Sequence, residues 1–94
     1  MASKRTVTKD PQATLDYGFR YTKWLLESGS DTILASTWTV PAGITKVSSS
    51  FTATTTTIWL SGGTVGEQYP CVNEVNTVGQ RTDNRTLIVN IEQK

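Results

Sequence analysis

The sequence contains no histidine and only one cysteine, Cys71. Histidine is the commonest general base near neutral pH and the commonest metal ligand, so its absence removes two routes to chemistry. A single cysteine cannot form a disulfide within the chain, and its place in an apolar strand marks Cys71 as a small core residue. No G-x-S-x-G motif or linked carboxylate pair takes the place of these groups. We therefore expect no enzyme activity, no metal site and no cofactor.

An excess of charge of one sign and a long apolar run are also missing. Nine basic and eight acidic residues leave a formal net charge of +1, so no global field steers the chain toward nucleic acid or an anionic membrane. There is no run of about 18 apolar residues that would make a transmembrane helix. The N-terminus MASKRTVTKD lacks the apolar stretch of a secretory signal. We expect partners other than nucleic acid and membranes.

The chain is instead rich in threonine and serine, arranged in short alternating segments. Thr is β-branched and fits a half-buried pleated surface. Six or seven such segments, separated by turn residues at intervals of about 8–12 residues, are typical of an immunoglobulin- or fibronectin-like β-sandwich, with a small barrel as the alternative. The apolar residues of segment 15–26 fit both the alternation of a strand and one face of a helix, and we interpret the segment as a first strand that runs into a bend near Trp24.

The alternation also predicts the core. Segment 32–40 places Leu34, Trp38 and Val40 on one face, and the last strand sends its apolar residues to one side. The predicted core residues are Trp38, Val40, Ile58, Leu60, Tyr69, Cys71, Val75, Leu87, Val89 and Ile91.

The N-terminal segment is basic and polar. We interpret residues 1–10 as a flexible arm and residues 11–94 as a single immunoglobulin-like domain, because chains near 100 residues usually close around one core. A frayed terminus without a docking role is the alternative. The edge strands carry Thr in place of the charges that usually guard an edge. Both features predict that deletion of residues 1–9 leaves the fold intact and weakens incorporation into a larger assembly.

Several stretches resemble a known family: KDPQATLDYGF, STWTVPAGIT, FTATTTTIWLSGGTVGEQY and VGQRTDNRTLIVNI. They are similar to small virion structural proteins of tailed bacteriophages, which include fiber-tail adaptor proteins. The resemblance covers roughly residues 9–91. It implies a structural protein of the virion, present in the host cytoplasm during assembly and in multiple copies per particle.

Within that resemblance, the leading expectation is a neck or tail adaptor that attaches fibers to the tail. The alternatives are a capsid decoration protein and a host-surface or glycan-binding module. The partners expected are other virion proteins of the tail, neck, fiber or capsid. The loop at residues 81–85 is either a solvated turn or a recognition loop. The candidate partner-contacting residues are Lys4, Arg5, Lys9, Arg20, Tyr21, Trp24, Arg81, Asp83 and Arg85.

Overall fold

A computed structural model describes residues 3–93, which form seven strands and one short helix. The elements are β1 Ser3–Lys9, β2 Leu15–Arg20, α1 Thr22–Glu27, β3 Ile33–Thr39, β4 Ile44–Phe51, β5 Thr55–Gly62, β6 Gln68–Thr77 and β7 Thr82–Ile91. Strands β1, β7, β6 and β3 form a four-stranded sheet in that order, and β2, β5 and β4 form a three-stranded sheet.

This strand order is that of an immunoglobulin-like sandwich. Strands β2, β5 and β4 correspond to B, E and D of the constant-type domain, and β3, β6 and β7 correspond to C, F and G. The first strand lies beside β7 and runs parallel to it, whereas the other pairings are antiparallel. The predicted all-β sandwich of about seven short strands is therefore confirmed.

The N-terminal segment is a strand and not a mobile arm over the residues that the structure describes. β1 pairs with β7 from Ser3 to Lys9. Lys9 is fully buried, and its Nζ donates to the carbonyl oxygens of Asp10 and Gly62, both at 2.8 Å. Burial lowers the pKa of Lys9. The expected flexible arm is thus wrong for residues 3–9, because an edge strand guarded by lysines has the composition of a polar tail; Met1 and Ala2 lie outside the described residues.

The ambiguous segment 15–26 contains both periodicities, one after the other. Strand β2 ends at Arg20, and the six-residue helix α1 begins at Thr22. Between them, the Tyr21 N–H donates to the Thr54 carbonyl oxygen at 2.8 Å. Leu25 is the buried residue of the helix and covers one end of the sandwich. The bend predicted near Trp24 is therefore a turn of helix.

The core agrees closely with the predicted one. Of its ten residues, nine are buried and Val40 is partly buried against them. Leu34 was predicted to share the inward face of β3 with Trp38, but its side chain is 63% exposed. The register with β6 shifts between Ile33 and Ala35, so a β-bulge turns Ile33 inward in place of Leu34.

A polar residue lies at the centre of the sandwich. Asn73 is fully buried, and its Oδ1 accepts hydrogen bonds from the Tyr21 hydroxyl at 2.8 Å and the Thr56 hydroxyl at 3.0 Å. Its Nδ2 donates to the Ser36 hydroxyl at 2.9 Å and to the Thr37 carbonyl oxygen at 3.2 Å. Because a buried amide must be hydrogen-bonded, this network links both sheets and fixes their relative register.

Candidate assembly interfaces

The structure brings two of the predicted contact residues, Arg5 and Arg20, together on one open cleft. The cleft has a volume of about 540 Å³ and lies where β1, β2 and β5 approach one another. We call it the arginine cleft; it is lined by Arg5, Gly18, Phe19, Arg20, Thr55, Thr56 and Thr57. Guanidinium groups beside threonine hydroxyls can bind carboxylate or other anionic oxygens.

Two arginines of the four-stranded sheet close the free edge of β2. Arg5 Nη1 donates to the Gly18 carbonyl oxygen, and Arg85 Nη1 donates to the Arg20 carbonyl oxygen, each at 2.9 Å. These bonds satisfy backbone acceptors that no neighbouring strand reaches. Gly18 is required here, because a Cβ at that position would overlap the Thr56 carbonyl oxygen. The bonds from Arg5 and Arg85 therefore hold β2, which forms one wall of the cleft, in place.

Arg85 also packs over the aromatic residues that join β2 to α1. Its guanidinium carbon lies 4.0 Å from the centroid of the Tyr21 ring, a cation–π contact. The rings of Tyr21 and Trp24 meet edge to face at 6.0 Å. Asp83 lies 3.6 Å from Arg85 Nε. Tyr21 is fully buried and burial raises the pKa of its phenol, so this residue belongs to the core and presents no contact surface.

Arg81 belongs to a separate cluster at the turn between β6 and β7. Its Nη1 lies 2.9 Å from Asp31 Oδ2, and the Gly79 N–H donates to Asp31 Oδ1 at 2.9 Å. The hydrogen bond from Thr77 is the main reason that the pKa of Asp31 falls to about 2, outweighing burial, and bonds from Gly79, Thr32 and Arg81 add to it. Of the predicted loop 81–85, only Arg81 lies in the turn, where it is tied to the loop that precedes β3; residues 82–85 belong to β7.

The remaining predicted residues divide between surface and interior. Lys4 is exposed on β1, where it pairs with Thr86 of β7. Lys9 is buried and cannot contact a partner. Trp24 is partly buried against the core. Asp31, the partner of Arg81, did not emerge from the sequence, since the two residues are 50 positions apart and only the fold brings them together.

The opposite side of the sandwich is almost free of charge. The two strands that border this side, β3 and β4, contain one charged residue, Lys46. Between β3 and β4 lies an open groove of about 340 Å³ lined by Ser36, Ser49, Ser50 and Phe51, here called the β3–β4 groove. Sequence reasoning noted the threonine-rich edges but missed this groove, although the uncharged stretch was the available signal.

The described residues offer little else of chemical interest. Among residues 3–93, no group of three or more His, Cys, Asp and Glu side chains is placed to hold a metal ion. The only helix described there is far too short to cross a membrane. Buried Cys71 has a thiol pKa raised to about 11 by desolvation, which keeps the thiol protonated.

Comparison with known proteins identifies the family. No curated protein matches the chain. A family model described as Podophage GP4 fiber-tail adaptor protein gp77 matches residues 9–90, a span that contains β2 to β6 and all of β7 except its last residue. Because this match covers most of the immunoglobulin-like sandwich, the chain belongs to the Podophage GP4 fiber-tail adaptor protein family.

Proposed function

We propose that this chain is a non-enzymatic component of the bacteriophage neck or tail that attaches fibers to the tail, in multiple copies per particle. The family match over residues 9–90 carries the proposal. An adaptor must hold two different proteins, and the two lateral sides of the sandwich differ in chemistry. One side bears arginines, and the other has almost no charge. Different partners are expected to recognise such different surfaces.

The arginine cleft is the proposed contact on the charged side. Arg20 is exposed there, and the hydrogen bond to Gly18 orients the Arg5 guanidinium along the same cleft. Both arginines keep further N–H donors for a partner, and an acidic side chain or a chain-terminal carboxylate has the matching acceptors. A single exposed ion pair is weak, so firm attachment requires several copies acting together.

The test compares Arg20→Glu with Lys23→Glu in purified particles. Both side chains are exposed, but Lys23 lies on α1 and does not line the cleft. Arg20→Glu leaves the backbone acceptor of Arg85 in place, so we expect a folded protein and particles that lose the fiber or this chain. Lys23→Glu should give particles like the wild type.

Two results would contradict the proposal. Absence of the wild-type chain from purified particles would exclude a virion component. Unchanged fiber and adaptor content in the Arg20→Glu particles would exclude the arginine cleft as a contact. Location of the chain on the capsid shell, and not at the neck or tail, would support the decoration alternative.

One observation favours a second candidate, a glycan-binding module. Trp59 is 40% exposed on the outer face of the three-stranded sheet, where its cross-strand neighbours are Asp16 on β2 and Ser48 on β4. An indole face flanked by hydroxyl and carboxylate groups can stack on a sugar ring and accept its hydroxyl hydrogens. Saturation-transfer NMR with host-surface polysaccharide tests this: transfer centred on Trp59 and lost in Trp59→Ala would support it, and absence of transfer would exclude it.

A further inference from the structure

The free edge of β3 borders a space that lacks a strand. In variable-type immunoglobulin domains, additional strands join the sheet beside strand C, which corresponds to β3 here. In this chain the four-stranded sheet ends at β3. From Ile33 to Thr39 that edge carries no charged residue and no proline, the two devices that commonly prevent further pairing.

The facing strand confirms that this space is uncovered. Lys46, Ser49 and Phe51 of β4 pair with Leu60, Ile58 and Thr56 of β5, which are buried, so these β4 side chains point toward the interior of the sandwich. All three are nevertheless exposed, and Phe51 is 44% exposed. From Lys46 onward, the inner face of β4 therefore lacks the cover that a fifth strand beside β3 would supply.

On the other lateral side, side chains of the four-stranded sheet bond to the backbone of the three-stranded sheet. There, Arg5 and Arg85 bond to carbonyl oxygens of β2, and Lys9 bonds to Gly62. These three bonds bridge the two sheets beside the arginine cleft and satisfy backbone acceptors of β2 and β5. The β3–β4 groove is lined by three serines and one phenylalanine, and not by charged donors.

We propose that an extended segment of another virion protein adds as a fifth strand to the edge of β3 and places alternate side chains in the β3–β4 groove. Backbone hydrogen bonds supply the affinity in this mode of recognition, and the groove selects the side chains. Small or apolar residues fit its uncharged lining. The inference rests on the proposed adaptor function only in taking the partner to be a virion protein.

Charge favours a different protein over a second copy of this chain. Lys46 is the one charged residue in residues 32–66 and lies on the inner face of β4. The β3 strand of a second copy has no acidic residue that could pair with Lys46. A partner strand with an acidic side chain offers the charge complementarity that a second copy lacks.

The test uses thiol labelling, because the chain has one cysteine, Cys71, which is buried and should not react in the folded protein. Ser49→Cys introduces a thiol on the groove face of β4, and Ser48→Cys introduces one on the opposite face, where it pairs with Trp59. Both serines are exposed, so both variants should fold and react rapidly with a maleimide in the isolated protein. In assembled particles we expect labelling of Ser49→Cys to slow by about tenfold or more, while that of Ser48→Cys changes little.

A second measurement separates strand pairing from simple coverage. Apart from Ile33, whose N–H donates to the Ala53 carbonyl oxygen at 2.9 Å, the amides on the free edge of β3 should exchange rapidly with deuterium in the isolated chain and become protected by about tenfold or more in particles. The inference would be overturned by labelling of Ser49→Cys at the free rate in particles, by equal protection of both thiols, or by β3 amides that remain unprotected. A dimeric isolated protein whose β3 amides are already protected would instead show that a second copy occupies the edge. Each of these results could occur in particles that contain the chain and its fibers, so the adaptor function would stand without the inference.

Discussion

At the scale of single residues, Asn73 shows how a polar side chain can organise an apolar core. Its amide connects Tyr21 beyond β2, Thr56 on β5 and Ser36 on β3. Replacing Asn73 by alanine leaves the buried Tyr21 and Thr56 hydroxyls without this acceptor. The cost of unsatisfied buried groups is much larger than the net gain from making a hydrogen bond.

We expect Asn73→Ala to lower the free energy of unfolding by about 3 kcal/mol, because each orphaned buried group costs about 1–3 kcal/mol. The control is Asn76→Ala on the outer face of the same strand. The amide oxygen of Asn76 accepts an exposed hydrogen bond from the Thr82 hydroxyl. This substitution should lower the free energy of unfolding by under about 1 kcal/mol. Urea denaturation measures both, and equal losses would show that the network adds nothing specific.

Asp31 gives the fold a defined acid sensitivity. Its pKa is about 2 in the folded chain against an ordinary value of 3.8. The unfolded chain therefore binds more protons between these values, so stability is fully present above about pH 4 and is lost as the pH falls toward 2. In Asp31→Asn this part of the pH dependence should disappear. Thermal unfolding between pH 5 and pH 2 checks it; parallel curves for wild type and variant would contradict the assignment.

At the scale of elements, β1 changes the expected outcome of N-terminal deletion. Its pairing with β7 and the buried Lys9 make residues 3–9 part of the sandwich. Deletion of residues 1–9 would expose the edge of β7 and uncover its core residues Val89 and Ile91. It is therefore expected to destabilise the fold, and reduced incorporation of such a deletion variant would not identify a docking arm.

A cleaner test of β1 compares its two lysines. Lys9→Met removes the donor to the carbonyl oxygens of Asp10 and Gly62, so we expect a loss of about 1–3 kcal/mol in the free energy of unfolding. Lys4→Met, at an exposed position on the same strand, should change it by under about 0.5 kcal/mol. Chemical denaturation of both variants decides whether β1 is docked in solution, since a free arm would make the two substitutions equivalent.

Helix α1 is too short to be stable alone and depends on its contact with the core. Leu25 is buried at the end of the sandwich, whereas its neighbour Leu26 is 63% exposed. We expect Leu25→Ala to lower the free energy of unfolding by about 2–5 kcal/mol and Leu26→Ala by under about 0.5 kcal/mol. Differential scanning calorimetry would show the contrast. Similar melting temperatures for both variants would mean that α1 does not cover the core.

At the scale of the whole molecule, Cys71 reports on the integrity of the sandwich. It is fully buried, and its thiol pKa is raised to about 11 by desolvation. The thiol should therefore be inert to Ellman's reagent at pH 8 in the folded protein and react only as fast as the fold opens. Reaction rates measured at increasing urea concentration should follow global unfolding. Rapid reaction without denaturant would contradict the burial of Cys71.

The sequence alone determined the fold class and most of the core. Alternation in the later strands is unambiguous, because each buries one face: Leu87, Val89 and Ile91 of β7 are all inside, as predicted. The resemblance to fiber-tail adaptor proteins likewise rests on local stretches of sequence and agrees with the family match. These properties depend on patterns within single segments, which a linear reading can detect.

Only the tertiary structure decided what depends on distant partners. A lysine-guarded edge strand and a disordered arm have the same composition, and pairing with β7 distinguishes them at Lys9. The bulge that exchanges Ile33 for Leu34 depends on the register with β6. Arg81 meets Asp31, and Arg5 meets Gly18, across long separations in sequence. The arginine cleft and the β3–β4 groove exist only where two sheets meet, because each is lined by residues of both sheets that are distant in the sequence.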